Sequence, residues 1–170
     1  MTEAIRGDDP VLFFEHKAMF GVKGEVPDGE YRVPFGHARV TREGGDATIV
    51  TCGRMVNFSE KAADKLAADG IGCDVIDLRT TSPMDEEAIL DSVEATGRLV
   101  VVDESPPRCS LAADIVGLVA NHAFGSLKAP PEMVTAPHTP IPFARELERA
   151  WLPSPDKIEQ AVRKTLAFRS

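Results

Sequence analysis

The sequence predicts an α/β fold, a three-layer α/β/α arrangement around a mostly parallel sheet. Three observations predict it. From residue 47 onward, short apolar runs alternate with helical patterns in the order β-α-β-α-β-α-β, and consecutive β-α-β units imply parallel strands with helices on both faces. Leu99-Val100-Val101-Val102 is apolar without alternation between Arg98 and Asp103, as in a strand covered on both sides. That strand runs into Asp103-Glu104 and the double proline Pro106-Pro107, and the carboxyl-end loops of open α/β sheets are where function collects.

Each element has its own signal. Met1 to Asp9 reads as a short helical end closed by Pro10, and Val11-Leu12-Phe13-Phe14 as a buried strand. Residues 21–36 are rich in Gly and Pro and read as a long loop. Gly44-Gly45-Asp46 is a turn, and residues 47–52 are a strand rich in β-branched side chains. Asn57 with Glu60 makes a capping box for a helix whose stripe is Ala62, Ala63, Leu66 and Ala67. Asp69-Gly70 ends it, and residues 73–78 are the next strand. Ser82-Pro83-Met84-Asp85 reads as a cap, a first-position proline and an acid at the third position. Ile89, Leu90 and Val93 give that helix its buried face, and Gly97 stops it.

After the central strand, Leu111, Ile115, Leu118 and Val119 recur at helical spacing, with Gly125 as the stop. Residues 132–135 form a short strand. The prolines of Ala136-Pro137-His138-Thr139-Pro140-Ile141-Pro142-Phe143 exclude a central strand or a helix interior. Residues 144–150 suit one or two helical turns, and Ser154-Pro155 opens the last helix.

Composition bounds the function. At 170 residues the chain suffices for one domain with a core. The net charge is −8, which argues against nucleic acid or an anionic membrane as partner and suits a basic protein surface. The acids concentrate in residues 46–135, which hold fifteen against seven bases. Cys52, Cys73 and Cys109 are odd in number and lack metal-ligand spacing, as expected in the cytoplasm. The start lacks a signal pattern, and no apolar run approaches a bilayer span.

No standard catalytic kit is legible. Gly21-Val22-Lys23-Gly24 lacks the strand–turn–helix context of a phosphate loop. His16, His37, His122 and His138 have no second ligand at zinc spacing. His16 and His37 flank the long loop, where either would reach a site shared with another chain. Asp103 and Glu104 are candidates for general acid/base work, or else pair with Arg108 or cap the next helix. Cys109 is a candidate nucleophile by its place near a helix start, although no base is identifiable. His138 serves either a structural hydrogen bond or a partner contact. Trp151 either anchors the tail or stands exposed as an interface residue.

A set of ordered motifs carries a family resemblance. They are Glu15-His16-Lys17; Gly21-Val22-Lys23-Gly24-Glu25-Val26-Pro27; Gly53-Arg54-Met55-Val56; and Val75-Ile76-Asp77-Leu78-Arg79-Thr80-Thr81-Ser82-Pro83. Pro107-Arg108-Cys109, Pro137 to Phe143, and Leu152-Pro153-Ser154-Pro155 complete them. Together the whole chain resembles the C-terminal half of the beta subunit of thiamine-diphosphate-dependent 2-oxo acid dehydrogenase E1 components. Val134 to Pro140 leans toward the acetoin dehydrogenase branch.

The resemblance implies a transketolase C-terminal domain over residues 46–170. It makes residues 17–45 an interdomain linker and residues 1–16 the remnant of a pyrimidine-binding domain. It implies thiamine diphosphate and Mg2+ in the intact complex, with neither expected in this chain alone, because the family's pyrimidine-contacting glutamate and active-site histidine match nothing here. The implied partners are an E1 alpha subunit, a second beta subunit and the E2 acyltransferase. No residue is therefore assigned as catalytic, cofactor-binding or metal-binding. His16, Asp103, Glu104, Arg108 and His138 are the interface or loop contacts to look for. Two rival readings are a stand-alone acidic binding module and a small complete enzyme using the loop from Asp103 to Cys109.

Overall fold

The computed structural model describes residues 1–169. Its elements in chain order are α1 (Thr2–Arg6), β1 (Arg39–Arg42), β2 (Ala47–Thr51), α2 (Arg54–Ala68), β3 (Cys73–Asp77) and α3 (Glu86–Thr96). They continue with β4 (Leu99–Asp103), α4 (Leu111–His122), β5 (Glu132–Thr135), α5 (Arg145–Trp151) and α6 (Pro155–Ala167). The sheet order is β1-β3-β2-β4-β5. β2 through β5 are parallel, and β1 lies antiparallel to β3 at one edge.

Successive residues of the central strands feed two cores, as the two-residue period of a strand requires. Ile49, Val75 and Val100 face α2 and α6, meeting Ala62, Leu66, Ile158 and Val162. Val50, Ile76 and Val101 face α3 and α4, meeting Ile89, Val93, Ile115 and Val119. All of these side chains are buried. The three-layer expectation holds, with the added antiparallel edge. A buried hydroxyl cluster pins α3 to the sheet: Thr48 Oγ1 lies 2.7 Å from Ser92 Oγ and 2.8 Å from Thr96 Oγ1. Its members satisfy one another, as buried polar groups must.

Four local expectations need correction. Val11 to Phe14 is not a buried strand: among the described residues it pairs with no other segment, and Leu12 and Phe14 are 85% and 87% exposed. Apolar residues that favour extension make a strand only where a partner edge is available, and this run meets none. Second, α2 starts at Arg54 rather than after Asn57. Gly53, at φ +60, turns the chain straight from the strand end into the helix, so Asn57 and Glu60 lie inside it. Third, α3 is capped by Asp85, not Ser82. Asp85 Oδ1 accepts from the Ala88 amide at 3.2 Å while Oδ2 accepts from the Ala38 amide at 2.7 Å. One carboxylate thus closes the helix and ties down the chain before β1. Fourth, Arg39–Arg42, within the stretch read as a linker, is the edge strand β1.

The remaining caps follow the sequence. Gly97 ends α3 at φ +76, Ser110 accepts from the Ala113 amide at 3.2 Å, and Ser154 caps α6 with Pro155 in its first turn. No helix among the described residues is long and apolar enough to cross a membrane.

Candidate functional site: a crevice at the carboxyl ends of β2 and β4

β2 and β4 are neighbours, but their onward connections diverge. β2 leads through α2 to β3 on one side, and β4 leads through α4 to β5 on the other. This is a topological switch point, where connections leaving in opposite directions open a crevice. A cleft of about 650 Å³ lies there. Cys52, Gly53 and Met55 form the β2 side of it, and Asp103 and Glu104 the β4 side. Its outer wall is the segment around Phe13, Phe14 and Phe20.

A polar contact ties the wall to the sheet. His16 Nε2 lies 3.1 Å from Glu104 Oε2, both side chains half-buried. His16 Nδ1 accepts from the Ala18 amide at 3.2 Å, capping a short 3-10 turn over Lys17–Met19. Nδ1 therefore carries a lone pair and Nε2 the proton, so the imidazole donates to Glu104.

Asp103 is committed to its own loop. Its carboxylate accepts from the Ser105 amide at 2.9 Å and from the Ser105 hydroxyl, and reaches the Ala112 amide at 3.4 Å. It orders the turn from β4 into α4, which is the capping alternative read from the sequence. Neither acid pairs with Arg108, which is exposed; Glu104 is taken by His16 instead. His138 is exposed too. Beside it, Thr139 accepts the Trp151 indole N–H at 3.1 Å, and Trp151 is buried. The anchor reading of Trp151 is therefore the observed one.

Cys52, the imidazole of His16 and Glu104 are the residue types of a nucleophilic site, but their electrostatics oppose it. Burial first, then the charges of Asp103, Asp77 and Glu104, push the Cys52 thiol up to about 11. A nucleophilic cysteine needs the opposite shift. Cys109 is exposed and adopts φ +50 in the loop before α4, outside the crevice lining.

The crevice does not fit a diphosphate. Among the described residues, the acids Glu15, Asp103 and Glu104 line it, and no Lys or Arg does. Among the described residues, no group of three or more His, Cys, Asp or Glu is placed to hold a metal ion.

The sequence singled out His16, Asp103 and Glu104, and the structure brings all three together. It did not single out Phe20, Met55 or Cys52 as their neighbours. The close spacing of Phe13, Phe14, His16 and Phe20 was the available signal.

Comparison with known proteins places this architecture. The model of the transketolase C-terminal domain matches residues 36–158. The beta subunit of acetoin:2,6-dichlorophenolindophenol oxidoreductase from Cupriavidus necator is 53% identical over 98% of this chain and 49% of its own length. The protein of the same name from Bacillus subtilis is 50% identical over 93% of this chain and 46% of its own. The pyruvate dehydrogenase E1 component subunit beta of Bacillus subtilis is 44% identical over 99% of this chain and 52% of its own. A solved split-gene transketolase, described as an inactive beta4 tetramer, superposes with a TM-score of 0.72. It shares 26% identity, over 86% of this chain and 47% of that one. The chain spans about half the length of the curated relatives it matches. It belongs to the transketolase C-terminal domain family and is homologous to the beta subunits of acetoin and 2-oxo acid dehydrogenases.

Proposed function

We propose that the chain serves as the C-terminal domain of the beta subunit in an E1 component that oxidises acetoin or a 2-oxo acid with thiamine diphosphate. Its own contribution is assembly: contact with an alpha subunit and a second beta subunit, and docking of the E2 acyltransferase. One observation carries this reading. Nearly the whole chain aligns with acetoin oxidoreductase beta subunits at 50–53% identity, above the 44% to a pyruvate dehydrogenase beta subunit. Within it, residues 1–16 correspond to the end of a pyrimidine-binding domain and residues 17–45 to the connection. Bound thiamine diphosphate would supply the carbanion that attacks the substrate carbonyl. The crevice of this chain does not fit that group, so no step is assigned to its residues. The acidic surface of residues 46–135 favours a basic docking partner.

Sedimentation velocity tests the proposal. The chain is mixed with an acetoin dehydrogenase alpha subunit, with the matching E2, and with both. The expected result is a faster-sedimenting species containing the chain in at least one mixture, and no acetoin-dependent dye reduction by the chain alone. Dye reduction by the chain alone, or no association in any mixture, overturns it.

A further inference from the structure

We infer that the outer edge of β5 is an interface for a second copy of this chain, the two β5 strands pairing antiparallel about a two-fold axis at Val134. This interface rests on the assembly role proposed above and names the surface on which one copy meets another. The two edges of the sheet differ. β1 carries Arg39 and Arg42 and breaks register between Val40 and Arg42, the devices that keep an edge from pairing. β5, Glu132-Met133-Val134-Thr135, keeps unbroken parallel register with β4 and holds no proline, lysine or arginine. Among the described residues no strand pairs with its outer side. Ala136 donates its amide to the Ser105 carbonyl, on the β4 side, at 3.2 Å. Backbone groups alternate sides along a strand, so Glu132 and Val134 also face β4, while Met133 and Thr135 turn amide and carbonyl outward. An antiparallel pair centred on Val134 sets Met133 opposite Thr135 of the second copy, and each such pair exchanges two hydrogen bonds. The edge therefore matches itself.

Charge follows the same symmetry. Val134 is buried in the core beneath α6, and Glu132 shares its face of the sheet. Lys164 bonds Glu132 at 2.7 Å, and Arg98, just before β4, donates to the Thr165 carbonyl at 3.4 Å. The carboxyl end of α6 thus lies at the amino ends of β4 and β5. Lys157 stands seven residues back, about 10 Å toward the carboxyl end of β5. A two-fold axis normal to the sheet keeps the face and reverses the strand. It brings Glu132 of each copy to the Lys157 end of the other, making two ion pairs. Lys157 Nζ donates to the Ala150 and Leu152 carbonyls, which leaves its third N–H for that carboxylate. A groove of about 520 Å³, lined by residues of β5 and α6 including Lys157, Gln160 and Lys164, gives the second copy room. On the opposite face Met133, 41% exposed, is covered by Thr135 of the second copy.

The test is sedimentation velocity of the chain alone at rising concentration. A Leu12→Ser/Phe14→Ser background removes association through the exposed N-terminal run. A monomer–dimer equilibrium is expected, with the Met133 and Thr135 amides gaining protection from solvent exchange in the dimer. Met133→Pro removes an outward N–H and spares the β4 ladder, so it should keep the far-UV spectrum and abolish the dimer. Glu132→Lys and Lys157→Glu should each dimerise about tenfold more weakly, since each sets two like-charged pairs across the axis. Mixed one to one, these two variants should form a heterodimer of restored strength. A monomer at every concentration, a dimer unchanged by Met133→Pro, or a mixture no stronger than the single variants overturns the inference. A chain that stays monomeric yet binds an alpha subunit or E2 overturns this interface alone and leaves the assembly role standing.

Discussion

At Gly44 a Cβ atom would stand 2.3 Å from the Cys73 nitrogen and 2.4 Å from the Gly72 carbonyl carbon. The turn between β1 and β2 presses on the backbone entering β3, held by the Gly44 amide donating to Asp74 Oδ1 at 2.7 Å. No side-chain rotation relieves a backbone clash. Gly44→Ala should therefore cost about 3 kcal/mol in urea denaturation, the upper end of overpacking. Gly45→Ala, where a Cβ meets nothing within 4 Å, should stay within about 0.5 kcal/mol. Two thiols give a second residue-scale outcome. Cys52 and Cys73 are both pushed up to about 11 from an ordinary 9.0, burial being the first cause in each. A raised thiol pKa means that the fold favours the protonated form. The contribution is complete below pH 9.0 and is lost as pH rises through about 11. The denaturation midpoint should fall across that window, and a Cys52→Ala/Cys73→Ala double variant should give a flatter profile.

The elements show which signals travel from sequence to structure. β2 and β4 were legible because a run buried on both faces needs no knowledge of its neighbours, and β3 through the Val75-Ile76 pair at its centre. β1 was not. Arg39-Val40-Thr41-Arg42 has three polar residues of four and is partly exposed, as an edge strand is, and periodicity cannot distinguish it from a loop. Val11 to Phe14 failed in the opposite direction, since its propensity is strong and its partner absent. The start of α3 turned on a competition between two good caps. Ser82 before Pro83 has the sequence signature, but Asp85 has two acceptors, and the second amide, at Ala38, is 47 residues away. That tertiary bond decides the cap. Asp85→Ala should cost about 2 kcal/mol by chemical denaturation, a helix cap plus a hydrogen bond. Ser82→Ala should change stability by less than about 0.5 kcal/mol. The crevice had the same limit. Each of its residues lies in a readable stretch, but the bond that closes it joins His16 to Glu104 across 88 residues. Its partners were visible singly and not as a pair.

At the scale of the molecule, a well-packed sheet with two cores carries an unpaired apolar segment on its flank. Leu12 and Phe14 stand more than four-fifths exposed, and Phe13 is 51% exposed. A run of this kind drives association when no partner covers it. Light scattering should show the chain associating as concentration rises, with Leu12→Ser/Phe14→Ser shifting the onset to higher concentration. The proposed architectural role bears on the whole molecule too. Its charge is negative, its crevice is lined by three acids, and its one imidazole there donates to a carboxylate. An architectural domain tolerates that arrangement, whereas a diphosphate site does not. The direct test is calorimetric titration of the chain with thiamine diphosphate and Mg2+. The account predicts no saturable heat. Tight, stoichiometric binding by the chain alone would contradict it.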